Sequence, residues 1–246
     1  MCCCTADAVA IVAQPFFDAP AISQLAYGET FALIDKAGGW AWGRCGHDDY
    51  VGYVPAEALG PLHAPSHWVT VPLCLVFTGP DIKARVAKQL SMGAKIAGVE
   101  EGDFLRIDDG FIHLRQVSRL DAVAEDPVEV AERLLGAPYR WGGRGAGGID
   151  CSGLIQRSLE LAGIDSPRDS DMQRDQLGEA LADDAALRRG DLIFFPGHVG
   201  FMVDGTHLIH ANAYWMATVI EPLTDVVARL APTHDQPITA RKRIAR

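Results

Sequence analysis

Two stretches in the first half of the chain carry the same punctuation, and that repetition narrows the available folds more than any other feature. "LAYGETFALIDKAGGWAWGRCGHDDYVGYVPAEAL" begins at Leu25, and "LSMGAKIAGVEEGDFLRIDDGFIHLRQVSRL" begins at Leu90. In each, Leu-x-x-Gly opens a short β-rich run and an acidic or glycine turn follows. An aromatic comes next (Trp40, Phe104), and a second turn precedes a final strand at 51–54 or 111–114. Short alternating runs ended by Gly and Asp turns predict small β-barrels. Two in succession are expected, over 1–63 and 64–122, joined through the proline-containing "GPLHAPSH" at 60–67.

After Leu120 the pattern changes, and a third domain is expected over 123–246. "DPVEVAERLLG" offers Asp126 as an N-cap, Pro127 at the first helical position and Gly136 as a stop. A Gly-rich loop ("YRWGGRGAGGID") leads to a helix after Cys151, and "GIDSPRDS" turns into another predicted helix, "DMQRDQLGEAL". "DLIFFPGHVGFMVDGTHLIHANAYWMATVIEPL" then reads as consecutive strands with a hairpin signal at Asp204-Gly205. Helices first and antiparallel strands afterwards define an α+β domain.

Composition restricts what such a chain can do. A hydrophobic content of 48% over 246 residues predicts a folded globular protein, and the formal charge of −10 disfavours nucleic acid and anionic membrane as partners. No stretch approaches the roughly 20 apolar residues of a membrane span, and the first residues lack the basic and apolar regions of a secretory leader. A cytoplasmic location is the expectation. Of six cysteines, three form the run Cys2, Cys3 and Cys4, while Cys45, Cys74 and Cys151 stand apart. This is no disulfide framework, and no pair has zinc-knuckle spacing. Cys45 and Cys74 read as small buried hydrophobes. Oligomeric state has no signature in the sequence.

Cys151 is different. Leu154, Ile155, Leu159 and Ala162 recur at helical spacing, predicting a helix that buries one face and stops at Gly163. Asp150 is placed to cap it, which sets Cys151 at the first turn, where free N–H groups and the positive end of the dipole favour thiolate and can meet an oxyanion. A nucleophilic cysteine needs a base, and His198, His207 and His210 lie in the strand region. With a three-residue turn at 204–206, His198 and His210 share a face, Gly200 stands opposite His210, and His207 points away. A two-residue turn would reverse this. On the first register His198 is the base and His210 orients its other ring nitrogen. Two other readings are weaker. Cys151, His198 and His210 could ligate zinc, but no acidic residue suited to a general base is evident near the histidines. "GRGAGG" satisfies G-x-G-x-x-G, but it follows an aromatic loop and lacks a Walker lysine. No cofactor and no metal are expected.

"YRWGGRGAGGIDCSGLIQ", "PRDSDMQ" and "RRGDLIFFPGHVGFMVDGTHLIHA" resemble, in order, the motifs of the NlpC-type cysteine peptidases that cut bacterial cell-wall peptides. The resemblance runs from about Pro127 to Leu223. The first half resembles the bacterial SH3 (SH3b) domains often found before such enzymes, with "GYVPAEAL" as the most telling piece. The resemblance implies a papain-like catalytic domain with Cys151 as nucleophile, His198 as base and His210 as orienting residue. It implies that Tyr139 lines the site and helps with the oxyanion, that Asp150 receives a substrate ammonium, and that Ser152 and Ser170 are polar contacts. An SH3b aromatic would close the cleft: Tyr53, with Trp42 and Tyr50 as rivals. Arg168 or Arg144 could meet substrate carboxylates, although each reads first as a solvated surface arginine.

The implied activity is hydrolysis of the γ-D-glutamyl-diamino acid bond in murein peptides with a free N-terminal L-alanine, in cell-wall peptide recycling. Alternatives are an N-acetylmuramoyl-L-alanine amidase or related acyl transferase and, in another class, a catalytically silent SH3b protein that binds wall peptide.

Overall fold

The computed structural model describes residues 1–244. It divides into two compact units, one of 1–123 with 141–147 and one of 124–140 with 148–246. The loop segment 141–147, which precedes the nucleophile in sequence, thus packs with the first unit.

In the first unit the two repeats fold with the same strand plan. In the first repeat, Cys2–Cys4 pairs with both Thr30–Ala37 and Leu59–Gly60, and Ala8–Val12 pairs with Ala21–Ala26 and Val51–Pro55. In the second repeat, His67–Val69 pairs with Lys95–Ile96 and Val117–Arg119, and Leu73–Phe77 with Val86–Ser91 and Gly110–His113. A short 3-10 turn precedes the last strand in both, at Ala56–Ala58 and Leu114–Gln116. The matching glycines have the same task. Gly28 and Gly93 both sit at positive φ, 74° and 85°, in the turn that the repeat's Leu-x-x-Gly signature marks. A Cβ on Gly28 would lie 1.9 Å from the Lys95 carbonyl oxygen, so a side chain there would also strike the second repeat.

The repeats differ where the first has one long strand, Thr30–Ala37, and the second has two short ones, Lys95–Ile96 and Val99–Glu101. Their cores are separate. One gathers Cys4, Ile11, Leu25, Phe31, Cys45 and Val54; the other gathers Cys74, Val76, Leu90, Leu105 and Ile112. Cys45 and Cys74 are fully buried, as expected of small hydrophobes. The cysteine run at the start is not a loose tail: it is an interior strand with Cys3 and Cys4 buried.

The second unit is built on a six-stranded antiparallel sheet. Its spatial order is Glu179–Ala180, Ala240–Arg243, Leu192–Phe195, His198–Met202, His207–Asn212 and Ala217–Pro222. Four helices accompany it: α1 (Pro127–Glu132), α2 (Cys151–Leu161), α3 (Ser170–Gln176) and α4 (Leu223–Leu230). Asp126 caps α1 by accepting from Val128 N at 3.0 Å, and Gly136 follows at φ 80°, as the sequence signals require.

Helix α2 is the centre of this unit. The expectation of a one-faced helix falls short, because every residue from Cys151 to Leu159 is buried. The helix lies against α1, α3 and the strands His198–Met202 and His207–Asn212, so little of it is left for water. Its Arg157 is buried with Glu160 Oε2 at 2.5 Å. Gly163 ends it at φ 73°, with Ile164 N reaching back to Leu159 O at 2.9 Å.

The helix predicted over "DMQRDQLGEAL" stops at Gln176. Gly178 turns at φ 56°, and Glu179–Ala180 becomes a strand against Lys242 and Arg243. That pairing spans more than sixty residues of sequence, so no local signal reveals it. Helix α4 covers the sheet on the side of Ile193 and Phe195, burying Val226 among them.

Candidate active site

Cys151 is the first residue of α2, and the chain enters the helix through Asp150, whose Oδ1 accepts from Gly153 N at 2.7 Å. The cap expectation holds, but the carboxylate does more than cap. Arg168 donates to it through two nitrogens, Nη1 to Oδ1 at 3.0 Å and Nη2 to Oδ2 at 2.6 Å, and Ser152 Oγ approaches Oδ1 at 3.3 Å. Arg168 Nη1 also reaches Ser152 Oγ at 2.8 Å. Arginine and carboxylate are both buried, which makes this a two-point ion pair inside the protein. Both readings of Arg168, as a solvated surface arginine and as the partner of a substrate carboxylate, are therefore corrected: it is buried and its guanidinium is bound to Asp150. Arg144 is corrected in the same way. Within the first unit it is buried against Glu29 Oε2 at 2.9 Å and the Gln24 carbonyl at 2.8 Å.

The sulfur sits in a mixed environment. Burial, and after it the Asp150 carboxylate, push the Cys151 thiol up to about 11. Backbone N–H groups of Val199 and Ser152, with Arg168, act in the opposite direction. The expected lowering by the helix start is thus overridden, because the thiol is almost removed from water and shares its pocket with an anion. At neutral pH the resting group is a thiol. Tyr139, held by Tyr139 N to Met216 O at 2.9 Å, shares this neighbourhood. Burial first, then Cys151 and Asp150, raise its hydroxyl to about 12, so it stays a proton donor.

The strand that brings Val199 to the sulfur also carries His198. Phe201 pairs with Ile209 and Met202 with Leu208, and Val203 N bonds His207 O at 2.9 Å, leaving the three-residue turn 204–206. Gly200 therefore stands opposite His210. A Cβ on Gly200 would meet His210 Cβ at 3.0 Å and Leu208 Cγ at 2.9 Å. The space that glycine leaves lets the diagonal pair touch: His198 Nε2 and His210 Nδ1 are 2.7 Å apart, with ring centroids at 5.0 Å. The two rings bond each other directly. His207 points away and pairs with exposed Asp204 at 3.1 Å.

Three residues absent from the sequence reading complete this side. His210 Nε2 lies 2.8 Å from Glu221 Oε1, Arg229 binds both oxygens of Glu221, and Asn212 Nδ2 lies 3.0 Å from His210 Nε2. Burial alone would raise the Glu221 carboxyl, but hydrogen bonds from Arg229, His210 and Trp215 outweigh it and hold it below its usual range. Burial, and then the neighbouring His210, keep the His198 imidazolium far below its ordinary range, so the ring is neutral at pH 7. A faint signal existed: Val219 pairs with His210, so Glu221, two residues on, shares its face. Reading it required the length of a second turn.

Ser152 belongs to the Asp150–Arg168 cluster, and Ser170 opens α3 one turn before Gln173. Gln173, also missed, clamps α3 onto α2 by donating to Ser152 O at 2.9 Å and Pro167 O at 2.9 Å. Tyr53 lies in the first unit, with its ring 6.4 Å from that of Trp42 and packed on the cluster of Val12, Ala19 and Trp40. Tyr50 packs on the first repeat's core, and Trp42 is exposed at its edge.

Among the described residues the group whose ligand atoms lie close enough to share a metal is Cys45, His47 and Asp48, within 4.8 Å of one another. Cys151, His198 and His210 are not such a group. The Cys45 thiol is pushed well up, by burial first and then by the Asp48 and Glu29 carboxylates.

A cysteine at the first residue of a helix packed on an antiparallel sheet, its sulfur met by the backbone N–H next to a histidine whose ring bonds a second histidine, defines a papain-like cysteine peptidase. A model described as "NlpC/P60 family" matches residues 136–226, and one described as "Bacterial dipeptidyl-peptidase Sh3 domain" matches 11–59. A Bacillus cereus protein named gamma-D-glutamyl-L-lysine dipeptidyl-peptidase is 26% identical over 82% of this chain and 70% of its own length. The Escherichia coli K12 protein named murein DD-endopeptidase MepS/murein LD-carboxypeptidase is 30% identical over 51% of this chain and 68% of its own length. The chain spans only 33% and 40% of two other curated relatives. A crystal structure of an NlpC/P60 family protein from Bacillus cereus superposes with a TM-score of 0.82 at 20% identity, covering 98% of both chains, which supports the fold. The chain belongs to the NlpC/P60 family of cysteine peptidases and carries a bacterial SH3 domain ahead of the catalytic domain.

Proposed function

We propose that this peptidase hydrolyses the γ-D-glutamyl-diamino acid bond of murein peptides with a free N-terminal L-alanine, and that it acts on released peptides in the cytoplasm. The observation that carries the reaction is Cys151 at the start of α2, its sulfur met by the backbone N–H of Val199, which follows His198 in the chain, while the His198 ring bonds His210. The similarity to a protein named gamma-D-glutamyl-L-lysine dipeptidyl-peptidase supports the choice of bond.

In the proposed reaction Cys151 Sγ attacks the γ-carbonyl carbon as its proton passes to His198 Nδ1, the ring nitrogen not engaged by His210. A thiol raised to about 11 beside a neutral imidazole makes this general-base attack, not attack by a preformed thiolate. The oxyanion is met by the Cys151 backbone N–H and the Tyr139 hydroxyl. His198 returns the proton to the departing amine as the C–N bond breaks, leaving a thioester. Water, deprotonated by His198, then releases L-Ala-D-Glu and restores the thiol.

Asp150 is proposed to receive the L-alanine ammonium, with Ser152 and Ser170 as further polar contacts. Arg168 already balances the Asp150 charge, so a substrate ammonium would be its second cationic partner.

Incubation with L-Ala-γ-D-Glu-diaminopimelate tests the proposal. Release of L-Ala-D-Glu and free diaminopimelate is expected, and Cys151→Ala should abolish it. Cleavage only at a sugar-lactyl amide overturns the bond assignment in favour of an amidase. Equal rates on N-acetylated and free peptides remove the ammonium role, and a preference for intact sacculi over released peptides removes the recycling role.

A further inference from the structure

We infer that Glu221 is a positioning residue that selects the ring tautomers of the histidine pair, through its contact with His210, so that His198 can act as a base. The inference rests on the reading of Cys151 and His198 as nucleophile and base.

Glu221 lies on the strand Ala217–Pro222, diagonal to His210 on the same face. Arg229, from the helix that follows, binds both carboxylate oxygens, and the Arg229 guanidinium lies 4.1 Å over the Tyr214 ring. An ionised carboxylate held this way only accepts hydrogen bonds. At 2.8 Å from Glu221 Oε1, His210 Nε2 must therefore carry its proton. His210 Nδ1 is then a bare acceptor, so His198 Nε2, 2.7 Å away, must be the donor. In the neutral ring that leaves the lone pair on His198 Nδ1, the nitrogen that has to take the thiol proton.

Asn212 makes the selection consequential. Its Oδ1 accepts from Trp215 N at 2.9 Å, which fixes the amide and turns Nδ2 toward His210 Nε2 at 3.0 Å. With Glu221 present, two donors face each other there, and the ionic bond to the carboxylate prevails. Without the carboxylate, Asn212 Nδ2 would donate to a bare Nε2. The proton would move to His210 Nδ1, His198 Nε2 would become the acceptor, and His198 Nδ1 would carry a proton it cannot give up as a base. The carboxylate and the carboxamide thus call for opposite tautomers of the same two rings.

Three measurements test this. In the wild-type protein, long-range 1H–15N spectra at pH 7 should show protons on Nε2 of both His198 and His210 and none on Nδ1. A proton on His210 Nδ1 overturns the inference, whatever the substrate proves to be. In Glu221→Gln, kcat should fall roughly 10²–10⁴-fold, the range a misprotonated general base costs, with KM changed by less than about threefold. Wild-type kcat in that variant overturns the inference while leaving the peptidase reading intact. Adding Asn212→Asp to Glu221→Gln supplies a new acceptor for His210 Nε2–H and should recover at least about tenfold in kcat. No recovery overturns the tautomer account. Should Glu221→Gln fail to fold, the wild-type spectra decide.

Discussion

At Cys151 the start of a helix and the loss of water act in opposite directions, and the loss of water wins. The raised thiol carries a direct consequence for reactivity. A group whose pKa lies at about 11 exposes ever more thiolate as pH climbs toward that value. The rate of Cys151 alkylation by iodoacetamide in the free enzyme should therefore keep rising from pH 6 to pH 10, followed by mass mapping. A plateau reached below pH 7 would show a preformed thiolate and sink this account. The neighbouring carboxylate depends on its arginine in turn. Arg168→Met leaves Asp150 as an uncompensated buried charge, and the expected loss in chemical denaturation is about 3–5 kcal/mol. A loss below about 1 kcal/mol would mean that water reaches the carboxylate. Cys151 at a helix start was legible because a cap, an apolar spacing and a glycine stop are all local. The partnership of Asp150 with Arg168 was not, since the seventeen intervening residues must first fold as α2 and a turn.

Between elements, the decisive contact is the antiparallel pairing of the strands His198–Met202 and His207–Asn212, where Gly200 leaves room for the histidine pair. Gly200→Ala should put a methyl against His210 Cβ and the Ile209 carbonyl, costing about 1–3 kcal/mol of stability and lowering kcat by displacing His210. Gly147→Ala, at an open position, is the control and should change neither. Thermal melts and steady-state kinetics on the two variants decide it, and equal behaviour would refute the crowding argument. The register of this hairpin was legible because Asp204-Gly205 announces its turn and strand side chains alternate. Glu221 was not, because its place beside His210 depends on a second turn without such a signature. The C-terminal strand Ala240–Arg243 was beyond reach for a similar reason, as its partners lie some fifty and sixty residues away.

For the whole molecule, the histidine pair couples acid to stability. His198 and His210 are both held below the ordinary histidine value of 6.5, chiefly by burial. Below pH 6.5 the unfolded chain therefore binds protons that the folded one refuses, and stability falls as pH drops through that point. Glu221, held below 4.5, adds a further loss once pH falls beneath that value. The melting temperature should decline from pH 7 to pH 5, and less steeply in His198→Gln; a flat profile over that interval would contradict the burial of the pair. At this scale the amino-acid sequence by itself determined the order of parts, the repeat, the helix that starts at Cys151 and the face shared by His198 and His210. Each of these rests on interactions within a few residues: turn geometry, capping and side-chain alternation. Only the tertiary structure decided the protonation of the site, because a pKa depends on what surrounds a group in space. The burial that raises Cys151, the arginine that answers Asp150 and the carboxylate that faces His210 all come from outside the helix or strand that carries the residue they act on.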